Sequence, residues 1–184
     1  MLPKVRIVAG RWRGRKIEFL NLQSLRPTPD RVRETLFNWL APTISKAHCL
    51  DLFAGSGVIG FESLSRSAAS VVMVDNNLRV CAKLRQQAAR LEAKNIRIVH
   101  QEATQFINHT SETFDIVFID PPFRSELASV LVHTLSKHPI LNPQAMLYVE
   151  MPIAKQLDIT KTEWKVMRSA KTKQVRYFLL GSSL

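Results

Sequence analysis

The most informative residues lie at the end of a predicted buried strand, in the segment FDIVFIDPPF. Its apolar run leads directly into Asp120, Pro121, Pro122 and Phe123. Consecutive prolines restrict the backbone and carry no N–H group, so their carbonyl oxygens project as fixed acceptors. Asp120 adds a carboxylate beside the Pro121 carbonyl, and the two acceptors match the two N–H bonds of an exocyclic amino group on a nucleobase. Phe123 offers an aromatic face on which such a base can stack.

An exocyclic amine is a poor nucleophile because its lone pair is delocalised into the ring. Acceptors that hold both hydrogens favour a localised lone pair, and the Asp120 charge stabilises the positive charge that develops on nitrogen during attack on a methyl sulfonium. This chemistry requires no metal and no covalent nucleophile, because orientation supplies much of the catalysis. The residues from Asp120 to Phe123 are therefore the predicted catalytic residues. The alternative is a proline-stiffened turn without chemistry.

A glycine-rich turn follows an earlier predicted strand, in the segment DLFAGSGVIG from Asp51 to Gly60. The GxGxxG spacing alone is a weak signal for a dinucleotide site, in which glycine allows close backbone approach and a helix N-terminus faces an anion. Asp51 distinguishes a dinucleotide from an amino-acid-like ligand. A carboxylate is poorly placed beside a pyrophosphate, but it attracts the ammonium of an amino-acid-like ligand. We therefore predict S-adenosylmethionine as the cofactor, with S-adenosylhomocysteine as the product.

Two further acidic residues end the next predicted strands. Asp75 is positioned to accept both hydroxyls of a ribose, and Glu102 is positioned to meet an adenine amino group. Together with Asp51 they mark the carboxyl edge of a parallel sheet, where doubly wound folds bind ligands. The alternative is that Asp51 caps its loop and the other two are solvated strand ends. The predicted cofactor-binding residues are Asp51, Phe53, Gly55, Gly57, Asp75, Asn76, Glu102, Ala103 and Thr28.

The elements that must position these residues follow from the hydrophobic periodicity. From residue 47 onward, short apolar strands alternate with helical patterns, which predicts an α/β fold with a doubly wound, mostly parallel sheet and helices on both faces. A closing antiparallel hairpin is predicted over Trp164–Met167 and Gln174–Leu180. The other predicted strands are Cys49–Phe53, Val71–Asp75, Ile96–His100, Ile116–Asp120 and Met146–Glu150, and the predicted helices are Val58–Arg66, Leu78–Glu92, Thr104–Asn108 and Glu126–Lys137.

Residues 1–42 are predicted to form an N-terminal RNA-binding hairpin and helix, and residues 43–184 to form the catalytic domain that binds the cofactor. The hairpin pairs Val5–Ala9 with Lys16–Phe19 across a glycine-punctuated turn. The following helix begins with Asp30 as its predicted N-cap. Its apolar face consists of Val32, Leu36, Trp39 and Leu40.

The charge distribution indicates a polyanionic partner. The chain has 26 Lys+Arg against 15 Asp+Glu, a net charge of +11. Residues 1–40 hold nine basic and three acidic side chains, residues 155–184 hold seven and two, and the residues between hold ten of each. Each phosphate that a cation neutralises contributes affinity through counterion release. The predicted RNA-binding residues are Arg6, Arg11, Trp12, Arg13, Arg15, Lys16, Arg26, Arg31 and Arg33.

Each of these assignments has an alternative. The basic ends could form a solvated surface, and the N-terminal arginines could belong to a transit peptide. Trp12 could stack on an unpaired base or cover the inner face of the hairpin, and Arg31 and Arg33 cannot both lie on one helical face.

Composition excludes several other classes of protein. With 46% apolar and 22% charged residues the chain can build a core, which argues against a disordered basic tail. No apolar run approaches the roughly 20 residues that a membrane span needs, and no secretory leader opens the chain. Cys49 and Cys81 cannot form a disulfide framework, and the histidines show no ligand spacing. We therefore expect a cytoplasmic protein without a membrane segment or a bound metal.

Several of these segments resemble a known family. DLFAGSG, the acidic strand end at Asp75, and DPPF resemble the class I S-adenosylmethionine-dependent amino-methyltransferases that act on nucleic acids. More narrowly, RIVAGRWRGRKI followed by LRPTPDRVRETLFNWL resembles the RsmD family of 16S ribosomal RNA guanine-N2 methyltransferases, over essentially the whole chain. The resemblance implies a Rossmann-like, seven-stranded sheet with an N-terminal hairpin that contacts RNA. It also implies methylation of one guanine N2 on an assembled or nearly assembled small subunit.

By motif position, the resemblance places the target base at Asp120–Phe123. It surrounds the cofactor with Asp51, Gly55, Gly57, Asp75 and Glu102. Glu102 departs from the pattern, because this class more often has Asp or Asn there. Thr28 lies in a turn that approaches the active site in the family.

The partner implied is 16S ribosomal RNA within the small subunit, bound by a monomer. The nearest rival is an adenine-N6 methyltransferase, because DPPF-type motifs also serve adenine amines. A non-catalytic RNA-binding assembly protein is a second alternative, and an NAD-dependent oxidoreductase is disfavoured by Asp51.

Overall fold

The computed structural model describes residues 2–22, 28–122, 126–136 and 138–182. Within these ranges the chain forms nine strands and five helices. The strands are β1 (Lys4–Arg6), β2 (Lys16–Glu18), β3 (His48–Asp51), β4 (Ser70–Asp75), β5 (Ile96–His100), β6 (Phe114–Ile119), β7 (Leu141–Pro152), β8 (Trp164–Lys171) and β9 (Val175–Ser182). The helices are α1 (Asp30–Trp39), α2 (Val58–Ser65), α3 (Leu78–Arg90), α4 (Ala103–His109) and α5 (Leu127–Leu135).

Strands β3 to β9 form one seven-stranded sheet in the order β5-β4-β3-β6-β7-β9-β8, and β1 and β2 form a separate two-stranded hairpin. The strands from β5 to β7 are parallel, whereas β9 is antiparallel to both β7 and β8. The short apolar strands require cover on both faces, because a parallel sheet is buried on both sides. The predicted α/β fold with a C-terminal antiparallel hairpin and an N-terminal hairpin extension is confirmed.

The two faces of the sheet carry separate hydrophobic cores. One core joins the β1–β2 hairpin, α1, α2 and α3 to the sheet, and the other contains the apolar faces of α4 and α5. Strand β7 is longer than its predicted span, Met146–Glu150, and its register with β6 shifts between Phe114 and Ile116. Lys137, the predicted end of the last helix, lies outside the described residues.

The N-terminal hairpin packs closely against α2. Gly10 has a φ of +80°, and a Cβ atom there would lie 1.9 Å from the backbone oxygen of Ser65. The buried carboxylate of Glu62 accepts hydrogen bonds from the backbone N–H groups of Val8 at 2.8 Å and Ala9 at 3.0 Å. Only glycine permits this approach, since a side chain would meet backbone and φ > 0 favours glycine. The hairpin is therefore fixed on the sheet domain by backbone contacts.

The start of α1 differs from the prediction. Pro29 occupies the N-cap position without a side-chain cap, so the prediction of Asp30 as N-cap is wrong. Asp30 instead accepts from Arg6 Nε at 2.6 Å and from Arg33 Nη2 at 2.9 Å. Each carboxylate oxygen of Asp30 is thus bound by one arginine. These charge-assisted hydrogen bonds are stronger than the bond to a backbone N–H that an N-cap would make.

Candidate active site

Four strands carry a carboxylate at or next to their carboxyl ends, and the four face the same side of the sheet. These are Asp51 of β3, Asp75 of β4, Asp120 just after β6, and Glu150 of β7. The strand registers place them at even spacings on adjacent strands, and side chains two residues apart in a strand share a face. We call this group the carboxylate edge. It lies at the carboxyl ends of the parallel strands, where open α/β sheets bind ligands.

Asp51 is a buried carboxylate at the start of the glycine loop, only 2% exposed. Burial raises the pKa of Asp51, and together with the Asp75 charge it outweighs the backbone N–H groups of Phe53 and Gly60, so that the pKa is about 7. A carboxylate that is costly to ionise in isolation is stabilised by a cation placed against it. Asp51 therefore fits an ammonium group.

The glycine loop is held by Asp75. Its Oδ2 accepts from the N–H of Gly55 at 3.0 Å, and its Oδ1 accepts from the N–H of Asn77 at 2.8 Å. Burial raises the pKa of Asp75, whereas these two hydrogen bonds lower it. Gly57 has a φ of +75°, and a Cβ atom there would lie 2.4 Å from Leu84 Cδ2. Side chains at this position are excluded by both conformation and space.

The other predicted cofactor-binding residues surround this loop. Asn76 donates from Nδ2 to Glu102 Oε1 at 2.8 Å, and both side chains are exposed. Ala103 is buried at the start of α4, and Phe53 is half-buried between β3 and the glycines. The fold thus brings the predicted ribose and adenine contacts to one end of the carboxylate edge.

Asp120 occupies the other end of this site. The hydroxyl of Thr28, itself 5% exposed, donates to Asp120 Oδ2 at 3.4 Å. Burial raises the pKa of Asp120 well above its ordinary value, and the charges of Glu150 and Asp51 raise it further. A carboxylate with a raised pKa is a stronger base and a stronger hydrogen-bond acceptor once ionised. Pro121 is buried directly after it.

Glu150 is a site residue that the sequence analysis missed. It is 4% exposed, and its Oε2 accepts from the hydroxyl of Tyr148 at 2.7 Å. Burial raises the pKa of Glu150, and the Tyr148 hydrogen bond opposes that shift. The signal was present, because Glu150 ends a predicted parallel strand as Asp75 does.

The structure corrects two predicted RNA contacts. Arg33 is fully buried, and donates to the backbone oxygens of Thr28 and Arg6, each at 2.6 Å. Trp12 is 6% exposed and belongs to the core, with the guanidinium of Arg11 lying 4.0 Å from its ring centroid. Neither side chain can reach RNA in this conformation, so both predictions are wrong. The sequence contains a signal for the burial of Arg33, because Arg33 lies four residues before Phe37 and therefore on the same, buried face of α1.

The remaining predicted RNA contacts divide into two groups. The side chains of six are exposed, and these are Arg6, Arg11, Arg13, Arg15, Lys16 and Arg31. Arg6 pairs with Asp30, and Arg15 donates to the backbone oxygen of Arg90 at 2.7 Å. Arg26 and the predicted stacking residue Phe123 lie outside the described residues.

The described ranges contain neither a candidate metal site nor a candidate membrane span. No group of three or more His, Cys, Asp or Glu side chains there is placed to hold a metal ion. No helix there combines the length and the apolar character that crossing a bilayer demands.

Because Asp51 is buried, we expect the unfolding free energy of the unliganded protein to depend on pH. Because its pKa is about 7 in the folded chain and near 4 in the unfolded chain, the folded state binds more protons between these values. Stability contributed by protonated Asp51 is present below about pH 4 and is lost as pH rises through 7. Relative to Asp51→Asn, the wild type should lose up to about 4 kcal/mol of unfolding free energy by pH 8.

Urea unfolding of both proteins at pH 5 and pH 8 should show about 2.6 kcal/mol of this difference, because about two of the three pH units lie between these values. Comparison with Asp51→Asn cancels the titration of other groups that the substitution leaves undisturbed. A wild type that gains stability over the variant between these pH values would contradict the burial of an unpaired carboxylate.

The sheet order, the glycine loop after β3 and the DPP turn after β6 together define a class I methyltransferase fold. A family model described as conserved hypothetical protein 95 matches residues 5–181. Ribosomal RNA small subunit methyltransferase D of Escherichia coli K12 is 42% identical over 176 residues, covering 96% of this chain and 89% of the relative. The protein of that name from Haemophilus influenzae is also 42% identical, over 180 residues, covering 96% and 93%.

The solved structure of putative methyltransferase yhhF from Escherichia coli superposes with a TM-score of 0.90 at 39% identity, covering 98% of both chains. The chain therefore belongs to the RsmD family of methyltransferases.

Proposed function

We propose that this protein transfers a methyl group from S-adenosylmethionine to the exocyclic N2 amine of a guanine in 16S ribosomal RNA, within an assembled or nearly assembled small subunit. The observation that carries the proposal is the Asp120 carboxylate, held by the Thr28 hydroxyl at the end of β6. Similarity to small-subunit ribosomal RNA methyltransferases supports the choice of RNA.

The residues present fit the proposed cofactor. Asp51 is a buried carboxylate that lacks a cationic side chain against it in the described residues, and the methionine ammonium supplies that charge. Asp75 is positioned for the ribose hydroxyls, and Glu102 and Asn76 for the adenine. The N-terminus of α2 follows Gly57 and offers N–H groups to the carboxylate of the same ligand. When bound, the cofactor supplies an electrophilic methyl group on a sulfonium.

Asp120 then acts on the target amine. Its carboxylate accepts one N–H of the amine, and the Pro121 carbonyl accepts the other, which orients the nitrogen lone pair toward the methyl group. The Asp120 charge stabilises the positive charge that develops on nitrogen. The raised pKa of Asp120 suits it to accept the amine proton after transfer, when that proton has become acidic. The charge of the neighbouring Glu150 increases the basicity of Asp120.

The two parts of the chain have different roles in this proposal. Residues 1–42 contact RNA through the exposed arginines of the hairpin, and residues 43–184 bind the cofactor and perform the chemistry. The protein works as a monomer in the cytoplasm, where ribosomal subunits are assembled.

Nucleoside mass spectrometry tests the reaction. Small subunits from cells that lack the protein are incubated with purified protein and S-adenosylmethionine carrying a labelled methyl group. We expect the label in N2-methylguanosine from 16S RNA. Label in N6-methyladenosine would support the adenine alternative. Failure to label any RNA, together with normal RNA binding, would support a non-catalytic assembly protein.

The exposed arginines of the β1–β2 hairpin should affect the affinity for RNA but not the affinity for the cofactor. Replacing Arg11, Arg13 and Arg15 with Gln should weaken RNA binding about 10- to 100-fold near 0.1 M salt and flatten its salt dependence, because three phosphate contacts are lost. Affinity for S-adenosylmethionine should remain nearly unchanged, since these side chains lie away from the carboxylate edge. Fluorescence anisotropy and calorimetry measure the two affinities. Unaltered RNA affinity would refute the role of the hairpin while leaving the methyltransferase assignment standing.

A further inference from the structure

The turn between β8 and β9 carries a second group of cations. Lys171 and Lys173 are exposed, and Arg176 is half-buried. None of the three forms an ion pair with another residue in the described ranges. We call these three residues the cationic turn. In the sequence they contribute to the net positive charge of residues 155–184.

Strand register places the cationic turn at the catalytic end of the sheet. Arg176 of β9 pairs with Met151 of β7 and with Lys171 of β8. Met151 directly follows Glu150, so the cationic turn lies one residue beyond the carboxylate edge. Because β9 runs antiparallel to β7, its first residues return to the edge at which β7 ends. These C-terminal charges are distant from Asp120 in the sequence, but they are neighbours of the carboxylate edge in the fold.

The distance across the sheet is short. In the order β6-β7-β9-β8, Arg176 lies two strands from Asp120 and Lys171 lies three. With neighbouring strands about 4.8 Å apart, these separations are about 10 and 14 Å. Arg176 and Lys171 lie on the face of the sheet opposite to Asp120, and Lys173 lies in the turn. The long side chains of these residues can extend past the end of the sheet toward a ligand at the carboxylate edge.

The cationic turn is held in one conformation by Thr172. Its hydroxyl accepts from the N–H groups of Gln174 and Val175, both at 3.1 Å, and its own N–H donates to the Val175 oxygen at 2.8 Å. The backbone that presents Lys171 and Lys173 is thus ordered before any partner binds, which reduces the entropy lost on binding.

We propose that the cationic turn binds backbone phosphates of the RNA strand that flanks the target base. The inference rests on the proposed function and extends it. A base that reaches Asp120 brings its anionic backbone toward the carboxylate edge, and like charges repel. Three cations beside that edge offset the repulsion. Lysine is depleted at protein–protein interfaces, so a lysine-rich turn favours phosphate over a protein partner.

The experiment compares two triple variants with the same loss of charge. The test variant carries Lys171→Gln, Lys173→Gln and Arg176→Gln. The control variant carries Arg97→Gln, Lys161→Gln and Lys165→Gln, which removes three exposed cations outside the cationic turn, the carboxylate edge and the β1–β2 hairpin. The probe is fluorescently labelled 16S RNA, with binding measured by anisotropy between about 0.05 and 0.3 M salt, over which the Debye length shortens more than about twofold.

We expect the test variant to lose about 10-fold or more in RNA affinity at about 0.1 M salt. The slope of log affinity against log salt should fall by about 2, since three single-strand phosphate contacts contribute about 0.7 each. The control variant should change the affinity less than about threefold, and both should bind S-adenosylmethionine as the wild type does, which shows that they fold.

Equal losses in both variants would overturn the proposal, because they would show an effect of total charge alone. Unchanged RNA affinity in the test variant would also overturn it. Binding is measured without methyl transfer, so a failure of the proposed reaction is distinguished from a failure of this inference. Normal binding of naked RNA combined with lost binding of small subunits would assign the cationic turn to a protein partner and overturn phosphate binding.

Discussion

Asp120→Asn is expected to lower kcat for methyl transfer by about 100-fold or more, with little change in the affinity for S-adenosylmethionine. The amide keeps the shape of the side chain and still offers an oxygen. It lacks the negative charge that stabilises the developing positive charge on nitrogen, and it cannot accept the amine proton. The loss should therefore fall on kcat, which steady-state transfer of a labelled methyl group at saturating substrate measures.

The same substitution should not destabilise the fold. Burial and the neighbouring carboxylates raise the pKa of Asp120, so ionised Asp120 is costly in the unliganded protein. Near pH 8, urea unfolding should show Asp120→Asn to be at least as stable as the wild type. Glu112→Gln, at an exposed carboxylate in the loop before β6, is the matched control and should leave kcat unchanged. A kcat within threefold of wild type in Asp120→Asn would remove this carboxylate from the mechanism.

Arg33→Met is expected to cost about 2–4 kcal/mol of unfolding free energy. Arg33 is the largest fully buried side chain in the described residues. Its guanidinium joins the Thr28 oxygen, the Arg6 oxygen and the Asp30 carboxylate. Methionine fills similar space but leaves two carbonyl oxygens without donors. Denaturant unfolding measures the loss.

Arg31→Met supplies the matched control for stability, because Arg31 is exposed on the same helix and should change the unfolding free energy by no more than about 0.5 kcal/mol. Arg33→Lys should recover part of the loss, since an ammonium group keeps the charge but cannot span all three acceptors. Equal stability of Arg33→Met and the wild type would show that the buried hydrogen bonds are energetically neutral.

A milder change separates stability from positioning. Arg33 holds the backbone of Thr28, and the Thr28 hydroxyl holds Asp120. Thr28→Val removes only the hydroxyl and should lower kcat without raising KM for RNA. Thr28→Ser should restore kcat, because it restores the donor. Equal activity of the two variants would mean that the contact does not orient Asp120.

Much of this site was predictable because its signals are local. Consecutive residues define both a strand that ends in an acidic residue and a glycine-rich turn that precedes a helix. Apolar periodicity indicates where each strand ends, so Asp51, Asp75 and Asp120 were expected at one edge. Glu150 follows the same rule, since it ends the predicted strand Met146–Glu150.

Burial was less predictable, because it depends on what packs against a residue. Trp12 and Arg11 are adjacent in the sequence, yet one is in the core and the other is exposed. Arg33 looked like a surface arginine in a basic segment. Its role depends on two carbonyl groups and a carboxylate that the fold brings to it. No local sequence pattern predicts these contacts.

By itself, the sequence determined the class of protein, the glycine loop after β3 and the DPP turn after β6, because each depends on residue types at fixed short spacings. Only the tertiary structure decided which charges lie together at the carboxylate edge. Strand order brings Glu150 beside Asp120, and antiparallel pairing returns Arg176 and Lys171 to the same edge. The physical reason is that strand pairing joins residues distant in the chain, and their proximity depends on hydrogen bonds and packing across the whole sheet.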